Sequence, residues 1–136
     1  MTWVQRLIGW SLPLLLTLMP VSAAVAAADA DPLPRLFERA LLLGRAGDPQ
    51  GALPIWDQVL EIAPRDAAAF SNRGNVRLML GDLEGAIADQ THSLELAPND
   101  ADPHLNRGTA EEALEHWSEA AADDDWILER DPSDVS

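Results

Sequence analysis

The chain has 136 residues, 47% of them hydrophobic, a formal net charge of −14 and no cysteine. The length allows one small core beside any extras, and the missing cysteines exclude disulfides and thiolate metal sites. All nine basic residues are Arg, set against 23 acidic ones, which argues against nucleic acid as a partner and for basic surfaces on other proteins.

The first element is the segment 1–28. Arg6 precedes 22 uncharged residues, 7–28, in which the apolar block LIGWSLPLLLTLMPV gives way to small residues including Ala24, Val25 and Ala26. This is the layout of a secretory signal, and it predicts an exported chain. The same run is also long enough to serve as an uncleaved membrane anchor. Pro13 and Pro20 interrupt it and the small-residue tract follows directly, which favours cleavage. Trp3 and Trp10 belong to this segment. Residues 29–32 read as a short linker.

From residue 33 the chain repeats itself. The segment LEIAPRD at 60–66 returns as LELAPND at 94–100 and, more roughly, as LERDPSD at 128–134. Pro64, Pro98 and Pro132 are therefore 34 residues apart, as are Arg39, Arg73 and Arg107, and Ala52, Ala86 and Ala120. A fixed period of this size marks a supersecondary unit that buries its apolar side against the next copy. The units are 33–66, 67–100 and 101–134.

Unit two gives the internal plan. Phe70, Val76, Leu78, Met79 and Leu80 predict one helix over 70–80, Gly81-Asp82 a turn, and Ala86, Ile87, Leu94 and Leu96 a second helix over 83–96 that Pro98 stops. Each unit is thus a helix hairpin. Small residues at Ala40 with Ala52, Gly74 with Ala86, and Gly108 with Ala120 are expected where the paired helices approach closely; a large side chain there would cost about 1–3 kcal/mol.

With Phe70, Gly74, Gly81-Asp82, Ala86, Ser93 and Pro98 in this register, the pattern resembles the tetratricopeptide repeat. Unit one departs from the family at Leu36 and Val59 and carries Pro54 near the start of its second helix, where only the first turn tolerates it. Unit three replaces Gly-Asp by Glu115-His116, which predicts a less sharply defined turn. The resemblance implies an all-α, right-handed α-solenoid of three hairpins behind the signal or anchor segment. It also implies a concave groove lined by first helices, here by Phe37, Leu41, Arg45, Asn72, Asn75, Met79, Asn106 and Thr109. Such a groove suits an extended peptide, since amides both donate to and accept from a backbone. Chaperone-binding members grip a C-terminal carboxylate with cations that this groove mostly lacks. In style the chain also resembles exported repeat proteins of cyanobacteria and chloroplast lumens, which points to the periplasm or thylakoid lumen and to assembly of a membrane complex.

Position 7 of the family repeat is usually apolar, so Arg73 and Arg107 require partners. Asp89 and Asp123 lie 16 residues after them, and Arg73–Asp89 and Arg107–Asp123 ion pairs are predicted to bridge helices within a unit or between units. Unit one has Arg39 but Ile55 at the matching place, and is expected to lack the pair. His92, His104 and His116 fall on different helices, which argues against a shared metal. The run Asp123, Asp124, Asp125 is expected to form a solvated acidic face, and Trp56, Trp117 and Trp126 to pack between hairpins. No nucleophile, base and acid are grouped, so no enzymatic activity, cofactor or metal is predicted. The expected function is an exported adaptor that binds a protein or peptide. The alternative is a self-associating scaffold joined through the third unit, which has no capping helix after it.

Overall fold

The computed structural model describes residues 31–130, and every regular element among them is helical. In chain order these are α1 (Leu33–Arg45), α2 (Pro49–Ile62), α3 (Ala67–Leu80), α4 (Leu83–Leu96), α5 (Ala101–Ala113) and α6 (Trp117–Arg130). The readings of 1–28 as a signal and of Pro132 and Asp134 as repeat positions lie outside the described residues, as do residues 29 and 30 of the 29–32 linker.

The repeated endings act as helix punctuation. Pro64 and Pro98 follow the last turns of α2 and α4, where a residue without an amide donor ends the ladder. Two residues on, Asp66 Oδ1 accepts from the Ala69 amide at 2.9 Å and Asp100 Oδ1 from the Asp102 amide at 3.2 Å, capping α3 and α5. Asp48 and Asp82 cap α2 and α4 in the same manner through Gly51 and Gly85. Each cap satisfies an amide that the helix start leaves open, a contribution of about 1 kcal/mol.

The tight turn within each hairpin needs one left-handed residue, and these also stand 34 apart: Gly47 at φ 74°, Gly81 at φ 78° and Glu115 at φ 61°. The third turn is therefore as well defined as the others, contrary to the sequence expectation. The packing of α5 on α6 imposes the reversal, and His116 Nδ1 lies 2.6 Å from Glu111 Oε2 across it. Holding a Glu in this conformation costs roughly 1 kcal/mol or more. Pro54 departs from expectation too. Asp48-Pro49 starts α2 so early that Pro54 lies inside the helix, past its first turn, and the helix continues through it. The carbonyl deprived of its partner belongs to Gln50, an exposed residue.

Helices adjacent in sequence pack on one another, α1 also meets α3, and α3 meets α5, whereas α2, α4 and α6 do not meet. The first helices thus crowd together on the inner side of the stack and the second helices fan out. The chain's contacts separate after Asp31, and the helical unit from Pro32 onward holds its core within itself. Ala40, Ala52, Ala86, Ala120, Gly74 and Gly108 are all buried. A Cβ added at Gly74 would lie 2.7 Å from Gln90 Nε2 and 3.2 Å from Asp89 Cβ, so the close approach is made to those side chains.

The apolar core is concentrated in units one and two, around Ile55, Trp56, Val59, Leu60, Ala69 and Val76. One period after Ile55, Trp56 and Val59 stand Asp89, Gln90 and Ser93, which are equally buried. The second unit thus replaces an apolar trio by a hydrogen-bonded one. Ser93 Oγ donates to the Ala67 carbonyl at 2.9 Å, and Gln90 Nε2 donates to the Ser71 carbonyl at 3.0 Å and to Asn75 Oδ1 at 2.9 Å. A buried polar group is tolerated on this condition, which among the described residues Gln90 Oε1 leaves unmet.

Candidate functional site

The inner face of α1, α3 and α5 carries two neighbouring clefts. The first, of about 230 Å³, is walled by Leu41, Arg45, Asn72, Asn75 and Met79 with Trp56 and Val76 at its base. The second, of about 370 Å³, is walled by Ser71, Asn72, Asn75, Asp100, Asp102, Leu105 and Asn106. Asn72 and Asn75 form the ridge that both share. Arg45 stands at the first cleft, while Asp100 and Asp102 make the second acidic. Met79 and Leu105 are 55% and 56% exposed, so each cleft also offers apolar surface to a ligand.

The orientation of the ridge amides follows from backbone partners. Asn72 Nδ2 donates to the Ala68 carbonyl at 2.8 Å, which turns its Oδ1 outward as an acceptor. Gln90 must present its amino group to the Ser71 carbonyl, and Asn75 therefore turns its Oδ1 toward Gln90. That leaves the Asn75 amino group as a donor. One acceptor and one donor on adjacent turns of α3 match the alternating groups of an extended backbone.

Two residues expected in the groove are placed differently. Phe37 is half-buried and meets Trp56 edge-on, with centroids 4.8 Å apart; α1 turns it into the core. Thr109 lies outside both clefts, its hydroxyl donating to the Leu105 carbonyl at 2.9 Å.

The position-7 arginines sit in the packed edge of the stack. Arg73 Nε and Nη2 donate to Asp89 at 2.8 and 2.7 Å, and Nη1 donates to Asp57 of the preceding unit at 2.8 Å. Asp89 also lies 3.0 Å from Arg77 Nη1. Arg107 repeats the plan, with Nε and Nη2 on Asp123 at 2.8 and 2.6 Å and Nη1 on Thr91 of the preceding unit at 3.2 Å. Each Arg therefore ties its own hairpin together and fastens it to the one before. Hydrogen bonding to Asp89 raises the Arg73 pKa above its usual range against the opposing effect of burial, and Asp123 does the same for Arg107. Asp123 is buried, which by itself would raise its pKa, yet the bonds from Arg107 and His104 outweigh burial and hold it below the usual carboxylate range. The acceptors in the preceding units, Asp57 in unit one and Thr91 in unit two, escaped the sequence reading although the 34-residue step relates them. In unit one, Arg39 is exposed, and Ile55, at the place of the acid, is buried.

Other expectations for the third unit need correction. Asp123 is buried beneath Arg107 and His104, so only Asp124 and Asp125 of the acidic run are exposed. Trp117 is 63% exposed rather than packed between hairpins, because it opens α6 with no later hairpin among the described residues to cover it. Trp126 stacks within its own hairpin on His104, at 3.8 Å between centroids, with the Arg130 guanidinium 3.7 Å above the ring. His92 lies against Phe70 at 4.6 Å. Each of the three histidines thus has a separate local partner.

No family model and no curated protein matches the chain in sequence. Solved structures do match. The 41-end fragment of MamA from Desulfovibrio magneticus RS-1 superposes with a TM-score of 0.72 at 22% identity over 85% of this chain and 66% of that one. The Arabidopsis OM64 TPR domain gives 0.72 at 23% identity over 76% and 85%. The first TPR domain of Spaghetti (RPAP3), bound to the HSP90 peptide SRMEEVD, gives 0.72 at 21% identity over 76% and 82%. The chain spans slightly under two thirds of the MamA fragment's length. Its fold is the tetratricopeptide-repeat solenoid.

Proposed function

We propose that this chain is a non-enzymatic binding module that captures an extended segment of another protein along the inner face of α1, α3 and α5. The observation that carries this reading is the Asn72–Asn75 ridge, with an outward acceptor and an outward donor fixed by the Ala68 and Ser71 carbonyls. A ligand backbone pairs with the ridge. An apolar side chain enters beside Leu41 and Met79, and a basic one meets Asp100 and Asp102. The peptide-bound RPAP3 domain of the same fold supports this mode of use. An acidic C-terminal peptide such as that domain's suits this groove poorly, since Arg45 is the one cation lining the two clefts among the described residues and the chain's net charge is −14.

Together with this reading goes the export inferred from residues 1–28, which would set the groove in a periplasm or thylakoid lumen and suit an adaptor in membrane-complex assembly. The test is binding of a labelled peptide library by the helical unit, residues 32–136, followed by Asn72→Ala and Asn75→Ala. Loss of one backbone hydrogen bond is expected to weaken selected peptides by about 3–10-fold. Unchanged affinity in both variants would remove the ridge from the function.

A further inference from the structure

The two ends of the stack carry opposite halves of its internal joint. At each internal joint, position 7 of the later unit meets position 25 of the earlier one, as Arg73 on Asp57 at 2.8 Å and Arg107 on Thr91 at 3.2 Å. The next partners in this series are Arg39 at the first end and Asp125 at the last. Both are exposed, and neither has a hydrogen-bond or ion-pair partner among the described residues. The apolar part of the joint is split in the same way. Val76 and Ala110 are buried at position 10, at 3% and 0% exposure, but Leu42 is 57% exposed. Leu60 and Leu94 are buried at position 28, yet Leu128 is 39% exposed. One end therefore offers an Arg beside a Leu, and the other an Asp beside a Leu.

We propose that a second copy of this chain docks head-to-tail, setting its α1 on α6 of the first, so that Arg39 reaches Asp125 and Leu42 covers Leu128. The joint repeats the geometry by which each hairpin already seats on its predecessor. Its occupant is a copy of this chain because the complementary residues lie at the chain's own other end. Such a contact is heterologous: it leaves one donor and one acceptor end free at every stage and extends without closing at two. The inner face stays open along the array, so this surface is separate from the groove.

Mass is measured by light scattering for residues 32–136, whose core is complete within that unit, from micromolar to millimolar concentration. The wild type is expected to grow in mass beyond two copies. Arg39→Asp and Asp125→Arg each set like charges opposite one another and are expected to weaken association by ~100-fold or more. Both sites are exposed, so helical circular dichroism stays unchanged. An equimolar mixture of the two variants, or the Arg39→Asp/Asp125→Arg double variant, regains growth because every joint again pairs opposite charges. A wild type that stays monomeric overturns the proposal. So does association that survives both single variants, or failure of the swapped pairs to recover it. Peptide capture by the same variants is read separately: its loss in wild type would count against the groove and leave this joint standing.

Discussion

Replacing Asp89 by Asn is expected to be among the most destabilising isosteric changes in the fold. The Asp89 side chain is 4% exposed and receives Arg73 through two bonds at 2.8 and 2.7 Å, with Arg77 at 3.0 Å. Three charge-assisted contacts at about 1.5–3 kcal/mol each set a gross upper limit. Recovery is partial, because the Arg73 and Arg77 side chains are 17% and 25% exposed and Arg73 keeps Asp57. The net loss should be about 2–4 kcal/mol, below the range for a wholly buried pair. For a helical unit of this size that corresponds to a fall in Tm on the order of 15 °C. Asp57→Asn is the control: its side chain is 50% exposed and the change should cost about 0–1 kcal/mol. Urea unfolding followed by circular dichroism at neutral pH measures both. The double change Arg73→Leu/Asp89→Ile, which gives unit two the residue unit one has at Ile55, should lose much less than the two singles summed. If Asp89→Asn cost no more than Asp57→Asn, the clamp would have no energetic weight and the physical account of position 7 would fail.

Four further predictions rest on single sites. Gly74→Ala should destabilise by about 1–3 kcal/mol, since its methyl meets a Gln90 amide already held by Ser71 and Asn75. Gly108→Ala should instead stabilise by about 0.5–1 kcal/mol, because its methyl would sit 3.5 Å from Asp123 Cβ in ordinary contact; equal signs for the two in thermal melts would refute the packing argument. Glu115→Gly should raise stability by about 0.5–1 kcal/mol by releasing the left-handed residue, a gain absent if Tm is unchanged. Asp123 has a lowered pKa in the folded chain, so its contribution is present above the unfolded carboxylate value of about 4 and is lost as pH falls through the folded one. The stability gap between wild type and Asp123→Asn, followed downward from about pH 5, should therefore shrink; a gap that widened would reverse the assigned sign.

Much of the architecture was legible in the residues because the rules behind it act over a few positions. Pro64 and Pro98 stop, Gly81 turns, and Ala40 and Ala52 permit close packing. Each effect is steric or hydrogen-bonded within one turn, and the 34-residue step repeats it. The 16-residue offset from Arg73 to Asp89 was visible for the same reason: a hairpin brings that spacing together. Only the packed stack could decide which way longer side chains turn. It sent Phe37 inward onto Trp56, drew Asp123 under Arg107 while leaving Asp124 and Asp125 outside, and left Trp117 bare where no later hairpin is described. It also supplied Asp57 and Thr91 as third partners of the arginines and fixed the Asn75 amide through Gln90. These outcomes depend on which helix lies across from a residue, and that is settled when hairpins seat on one another to bury Trp56, Val59 and Val76, not by any residue's neighbours along the chain.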